Sequence, residues 1–362
     1  MVIKRMLGVL LLLGGLAAPA STAIAQEQVS RVIPTNHAVL TGYGTVGYQI
    51  QVTGENTNSF STSVAPIFLW QFQDRILFEA ELEFEVQEGV TETGLEYASI
   101  DVILTDNITA VGGKFLVPFG VFGDRLHPSW INKFPSSPPI YGHHVAGFGT
   151  EPLMPILSDI GVMGRGVIAA GVWNIGLNGY ITQGAVGEVT GPEPAELEFP
   201  GSTGDNNTNK MMGGRLDIAL PPWFEINFSG LTGKYDANDV LDFTAWNVAL
   251  EARVANFELR GEYMQTRQEF ETIGGFPLKV RNGLYAQLSY RWNAFEPVLR
   301  WTQAFNSAID GSTDVDGAQQ AGFSLSYWLT PSVALMAAYE LNRENGTEID
   351  NDRVLAHLAF GF

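Results

Sequence analysis

The side chains able to do chemistry are few and scattered. The histidines are His37, His127, His143, His144 and His357. His143-His144 could ligate a metal, but an adjacent pair without spaced partners is a poor match to a zinc site. The run DGSTDVDG from Asp310 to Gly317 has calcium-like acidic spacing but lacks the downstream glutamate of an EF-hand loop. Neither a G-x-S-x-G elbow nor a phosphate-binding loop occurs. No catalytic group, cofactor or metal is implied, and the chemistry left to explain is that of carboxylates.

Those carboxylates are ordered. RILFEAELEFEVQ, from Arg75 to Gln87, alternates Glu79, Glu81, Glu83 and Glu85 with Phe78, Ala80, Leu82, Phe84 and Val86. On a helix a period of two spreads charge over every side. On a strand the acids share one face and the apolar groups the other. Four carboxylates in a dry core are prohibitive without partners, so the acidic face needs water while the other face needs an apolar medium.

Segments of this kind recur along the chain, each roughly 10 to 14 residues long, as strands that cross a membrane require. Sixteen can be placed, from about 39–52 to 351–362. Tight turns at Gln73-Asp74, Asp106-Asn107, Ala170-Gly171, Pro221-Pro222, Ala255-Asn256, Asn293-Ala294 and Thr330-Pro331 alternate with eight longer loops, the longest at 120–156. A soluble sandwich has no reason to sort its loops by length. An antiparallel transmembrane β-barrel does, with short periplasmic turns and long extracellular loops. Trp70, Trp173, Trp223, Trp292 and Trp328 lie near tight turns, as an interfacial aromatic girdle would. The final strand stops on Phe362, and its outward set would be Val354, Ala356, Leu358, Phe360 and Phe362.

Compartment follows from the first 25 residues. Lys4 and Arg5 precede an apolar run and Ala23-Ile24-Ala25, the form of a cleaved secretory signal peptide at 1–25. Residues 26–38 then form an N-terminal periplasmic segment and 39–362 the barrel. The chain has no cysteine, which is compatible with export. Its 20 basic and 39 acidic residues give a formal charge of −19, which disfavours nucleic-acid binding. The composition, 45% hydrophobic, does not fit a disordered acidic chain.

Carrying the inward phase along the strands gathers Lys114, Arg165, Arg215, Arg260, Arg281, Arg300 and Arg353, with Asp101, Asp217, Glu251, Glu258 and Glu262 interspersed. An acidic wall opposite a partly basic one would set a field across a pore; the alternative is a set of solvated wall residues paired for stability. The 120–156 loop carries Trp130, Phe134, Tyr141 and many prolines, too apolar for a free external loop. Folded inward it would bring Asp124, Arg125, His127, Lys133, His143, His144 and Glu151 to a constriction. An unstructured external lid is the alternative.

The runs FLWQFQDRILFEAELEFE, LEYASIDVIL, GGKFLVPFGVF and DRLHPSWINK resemble outer-membrane porins related to the phosphate-selective O/P type. The resemblance covers about the first half of the mature chain closely, and the second half mainly in strand pattern. It implies a 16-stranded channel, a homotrimer, that passes small solutes passively. A terminal aromatic such as Phe362 resembles the signal read by the barrel assembly machinery, and outer-membrane lipids and lipopolysaccharide are the surrounding partners. The family's arginine ladder and lysine cluster are replaced here by an acidic ladder. The expectation is therefore a passive diffusion channel in the outer membrane of a Gram-negative bacterium. Its rivals are a closed structural or adhesive barrel, and a barrel hydrolase using His357 with Ser324 or Ser326. The hydrolase needs those groups on the lipid side, whereas the lumen is the side expected of them.

Overall fold

The computed structural model describes residues 36–52, 57–87, 90–142 and 148–362. The signal peptide, most of the segment before the barrel, His143 and His144 lie outside the described residues. The strands are β1 (His37–Gln51), β2 (Asn58–Phe72), β3 (Ile76–Gln87), β4 (Val90–Thr105), β5 (Ile108–Leu116), β6 (Ser158–Ala170), β7 (Trp173–Thr182), β8 (Met211–Leu220) and β9 (Phe224–Lys234). They continue as β10 (Asp242–Val254), β11 (Phe257–Glu269), β12 (Leu278–Tyr290), β13 (Phe295–Ala304), β14 (Ala308–Ile309), β15 (Ser312–Thr313), β16 (Ala318–Thr330), β17 (Val333–Glu344) and β18 (Arg353–Gly361). The pair β14–β15 is a small hairpin on the loop after β13, leaving a wall of 16 strands.

Each wall strand pairs antiparallel with its sequence neighbours, and β1 closes the ring on β18 through Tyr43↔Gly361 to Gln51↔Arg353. Closure leaves no edge strand among the described residues. One end of the cylinder carries only short turns, such as 106–107 and 255–256; the other carries every long loop.

The period-two pattern sorts side chains as the strand geometry requires. Phe60, Val64, Phe68, Leu82, Phe84, Val86, Val162, Leu177, Leu299 and Phe323 are exposed on the outside. So continuous an apolar band would be an aggregation surface in water and is what membrane hydrocarbon accommodates. On the opposite face Glu81, Asp101, Arg215, Glu262, Arg300 and Glu340 are shielded inside the cylinder. A rim of aromatic contacts marks the short-turn end: Phe257 meets Tyr290 at 4.5 Å between ring centroids, and Phe295 meets Tyr327 at 5.1 Å.

Trp70, Trp223 and Trp292 are exposed at that rim, but Trp328 is not part of it. Its indole N–H donates to Glu296 at 2.8 Å, and the Arg291 guanidinium lies 4.8 Å over its ring. Alternation from the outward Tyr327 turns Trp328 into the lumen. There, a carboxylate only 2% exposed needs donors.

Candidate functional site within the barrel

Sixteen strands enclose a lumen too wide for wall side chains alone to fill. The third long loop, at 117–157, takes up much of it. Its Phe119, Val121, Phe122, Leu126, Ile140 and Tyr141 form one buried cluster with wall residues Val111, Phe115, Met163, Tyr180, Met211, Leu231, Met264 and Tyr285. Phe122 stacks on Tyr141 at 5.2 Å and meets Tyr285 edge-on at 6.1 Å. The side of the lumen facing β5–β12 thus becomes a packed apolar core.

Glu262 of β11 is the polar centre of that core. Its carboxylate accepts from the backbone amides of Val121 (3.1 Å) and Phe122 (2.8 Å), the hydroxyls of Tyr141 (2.8 Å) and Tyr285 (3.0 Å), and the Asn247 amide (3.0 Å). Five donors replace the water lost on burial. Burial first, then the Glu262 carboxylate, pushes the Tyr141 phenol well up, so it remains a donor. Gly120 passes beside this hub with φ +66°; a Cβ there would collide with Glu262, with Tyr141 and with Asn247 at 2.9 Å.

Beyond the hub the loop is fastened by charge. Asp124 pairs with Arg215 (2.8 Å), which also meets Asp217 (2.9 Å) and donates to the Gly120 carbonyl (2.7 Å). Arg125 reaches Asp217 (3.2 Å) and Glu225 (2.5 Å). Burial works against the Arg125 charge, but Asp124, Asp217 and Glu225 outweigh it and hold the proton more tightly than on a free guanidinium. Lys133 lies between Glu258 (3.2 Å) and Glu296 (2.8 Å). Arg260 pairs with Glu251 (3.1 Å) and Glu258 (2.5 Å) and donates to the Ile131 carbonyl (2.8 Å). Arg300 donates to the carbonyl and hydroxyl of Ser136, both at 2.7 Å, pairs with Glu340 (3.1 Å) and stacks on Phe134 at 3.9 Å. Arg353 takes the other oxygen of Glu340.

Depth follows from these partners. Glu225, Glu258 and Glu296 are each the second residue of a strand leaving a short turn, so the loop descends from the long-loop end almost to the opposite rim. Trp130 packs there against Ala334, Met336 and Ala359.

Along β1–β4 the lining is polar. Thr45 and Ser63 share a 2.8 Å hydrogen bond, and Gln49 donates to Ser59 at 3.0 Å. Beside them run Glu79, Glu81, Glu83 and Glu85, with Glu92 opposite Glu85 and Glu96 at a bulge where β4 carries one extra residue. None of these six carboxylates has an ion pair among the described residues. The loop touches this side at His127, whose Nδ1 donates to the Gly123 carbonyl (2.6 Å) and whose Nε2 is 3.1 Å from the Tyr43 hydroxyl; that hydroxyl donates to Glu81 at 2.6 Å. Burial pushes the His127 imidazole down, against the Gly123 carbonyl, and keeps it neutral at pH 7.

The remaining residues singled out in the sequence fall as follows. Arg165 pairs with Asp101 at 3.0 Å. Arg281 donates to the Glu151 carbonyl at 2.5 Å, so Glu151 contributes its backbone. Lys114 lies opposite Ala98 and Ile160, close to Gly201 of the fourth loop, with no ion pair among the described residues. His357, Ser324 and Ser326 all turn inward, with β17 between the histidine and the serines, and Met336 pairs with both His357 and Ser326. Tyr43, Ser136 and Glu96 were not apparent as site residues. Tyr43 shares its face with Thr41 and Thr45 and so could have been found. Glu96 is displaced by the bulge, which no alternation rule anticipates, and nothing marks Ser136 among the loop's other serines.

No protein-family model matches the chain, and no curated protein matches it in sequence. Solved structures do. The outer membrane channel DcaP of Acinetobacter baumannii superposes with a TM-score of 0.61 at 11% identity, covering 90% of this chain and 97% of that one. The anion-selective porin from Comamonas acidovorans gives 0.61 at 12% identity, covering 91% and 100%. OmpT of Vibrio cholerae in a trimer form gives 0.58 at 9%, covering 90% and 99%. The fold is that of the porins. At these identities the likeness speaks for the 16-stranded antiparallel barrel and leaves the chemistry of the lumen to this chain's own residues.

Proposed function

We propose that the protein is an outer-membrane porin, a passive channel for ions and small hydrophilic solutes, whose conduit follows the polar lining of β1–β4 and favours cations. One observation carries this reading. The arginines and lysines of the lumen are largely spent fastening the third loop, whereas Glu79, Glu81, Glu83, Glu85, Glu92 and Glu96 make no ion pair among the described residues, Arg165 and Lys114 acting on Glu79 and Glu96 only from beyond contact distance. Fixed carboxylates along a water-filled passage lower the energy of a cation and raise that of an anion. The two-walled field suggested by residue types alone therefore becomes a one-sided acidic lining. The same loss of free arginines argues against phosphate selectivity. Neighbours described as an outer membrane channel and as a trimer form of an outer membrane protein support an outer-membrane location and a homotrimer, with export by the leader, assembly through Phe362 and insertion among outer-membrane lipids.

The test is a planar-bilayer recording of refolded protein across a salt gradient. Stable open steps with a cation-selective reversal potential, moved toward zero by Glu79→Gln, Glu83→Gln and Glu85→Gln together, support the proposal. Anion preference would return selectivity to the arginines. A correctly folded barrel that never conducts would point instead to the closed, adhesive reading.

A further inference from the structure

Where the third loop climbs back toward β6, residues 149–153 and the wall leave a cavity of about 300 Å³ at the long-loop end, bounded on its other sides by β12, the end of β13 and the loop that carries β14–β15. Glu151, Lys279, Arg281 and Asp316 are its charged lining. Lys279 is matched by Asp314 at 3.4 Å. Arg281 is not matched: it donates to the Glu151 carbonyl and makes no ion pair among the described residues. By contrast, Arg125, Arg165, Arg215, Arg260, Arg300 and Arg353 each stand against a carboxylate.

Charge and shape together select the ligand. With Lys279 and Asp314 cancelling, the cavity holds one guanidinium, most of whose N–H donors have no partner among the described residues. It also holds two carboxylates, Glu151 and Asp316, that make no ion pair among the described residues; Asp316 accepts from the Asn306 amide at 3.4 Å. A simple anion would meet the carboxylates, and a simple cation the guanidinium. A solute that carries both charges a few bonds apart satisfies both, with its carboxylate on the Arg281 fork. Leu153, Ala304, Phe305 and Val315 supply an apolar floor, and the volume is at the small end for ligand pockets.

We propose that this cavity binds a free amino acid with an apolar side chain, in its zwitterionic form, and that the bound solute clamps the third loop. The cavity lies across the ring from the passage along β1–β4, so it is apart from the proposed conduit and stands whether or not the barrel conducts. Glu151 belongs to the loop and Arg281 to the wall, and the solute bridges the two. Leu153, beside it, donates its amide to the Ile140 carbonyl at 2.9 Å, which ties the site to the buried part of the loop. A ligand that binds only the docked arrangement adds its own binding free energy to docking.

The experiment is isothermal titration calorimetry of the refolded full barrel in detergent with L-leucine, with leucinamide, which lacks the carboxylate charge, and with N-acetylleucine, which lacks the ammonium charge. Leucine should bind about tenfold more tightly than either, the usual scale for one charge-assisted contact. Arg281→Gln and Asp316→Asn should each weaken leucine about tenfold; Asp316 is on a different loop, so its replacement leaves the anchors of the third loop in place. Glu79→Gln, in the passage, should leave the affinity unchanged. Equal binding of either analogue, wild-type affinity in either cavity variant, or no binding of leucine overturns the proposal. So does a loss in Glu79→Gln, which would put the solute in the conduit. With a single thiol from Ile140→Cys, leucine at about ten times its Kd should slow labelling about tenfold, and an unchanged rate would overturn the clamp. Leucine binding in this pattern by a barrel that never conducts would refute the channel while leaving this site standing.

Discussion

Replacing Arg300 by Met should loosen the tip of the third loop while leaving the barrel closed. The pair Arg300–Glu340 is fully shielded on both sides, and the guanidinium also holds the carbonyl and hydroxyl of Ser136. Removing one member of a buried pair costs about 3–5 kcal/mol. Here the figure falls at the low end, because Glu340 keeps Arg353 and Ser136 as partners and methionine retains much of the volume against Phe134. About 3 kcal/mol on the docked state raises the population of the undocked tip about a hundredfold, at about 1.4 kcal/mol per decade.

The absence of cysteine gives a clean readout. Ile140, fully buried in the loop, is replaced by Cys as a single thiol, and its labelling rate by a membrane-impermeant reagent is compared with and without Arg300→Met. The rate should rise about a hundredfold where opening precedes labelling. Adding Glu340→Gln should cost less than the sum of the single changes, since each partner's removal leaves the other's charge less compensated. Rates within twofold of the parent would show that the apolar cluster alone holds the loop and that the ion pairs are incidental.

Gly120→Ala should lower resistance of the loop to proteolysis, because the new methyl group meets Glu262 and Tyr141 at a backbone with positive φ; about 2 kcal/mol of undocking is the expected scale. His127 has a lowered pKa, so its contribution to docking is complete above the free-imidazole value of about 6.5 and is lost as pH falls and the buried ring must take up a proton. Labelling of the Ile140→Cys reporter, taken relative to that of a free thiol at the same pH because the thiolate fraction itself falls with pH, should therefore quicken toward pH 5, and His127→Gln should flatten that dependence even though Glu81, Asp124 and Tyr43 remain beside the site. Lys133→Met leaves Glu258 and Glu296 short of a cation at the short-turn mouth and should shift the reversal potential further toward cations; an anion shift would contradict the assigned lining.

The barrel was legible because two signals are local. A period of two fixes which residues face lipid, and the alternation of short and long connections needs no long-range information. What occupies the lumen was less so. The loop's aromatics announce that it packs somewhere, yet its partners lie far along the chain, 91 positions for Arg215–Asp124 and 204 for Ser136–Glu340. Register across the closed ring, rather than composition, brings them together. Trp328 shows the same limit: proximity to a turn suggested the girdle, and one step of parity sends it inward to Glu296.

Charge balance links the architecture to the proposed selectivity. A loop that crosses a wide lumen must be secured without disulfides, and the apolar cluster secures only its upper part. Beyond that cluster the tip is held by Arg260 and Arg300, each of which pairs with carboxylates and donates to a loop carbonyl, and by the loop's own Lys133 between Glu258 and Glu296, with Trp130 and Phe134 packed on the wall beside them. Each cation used in this way is withdrawn from the passage. In a chain with 20 basic and 39 acidic residues, fastening the loop consumes the minority charge and leaves the majority charge lining the water. Weakening the fastening should therefore widen the passage and dilute its acidic character together, because freed arginines return to the lumen as counter-charges. Conductance and cation preference should change in opposite directions in Arg300-independent loop mutants such as Gly120→Ala, and a rise in both would break the link between anchoring and selectivity.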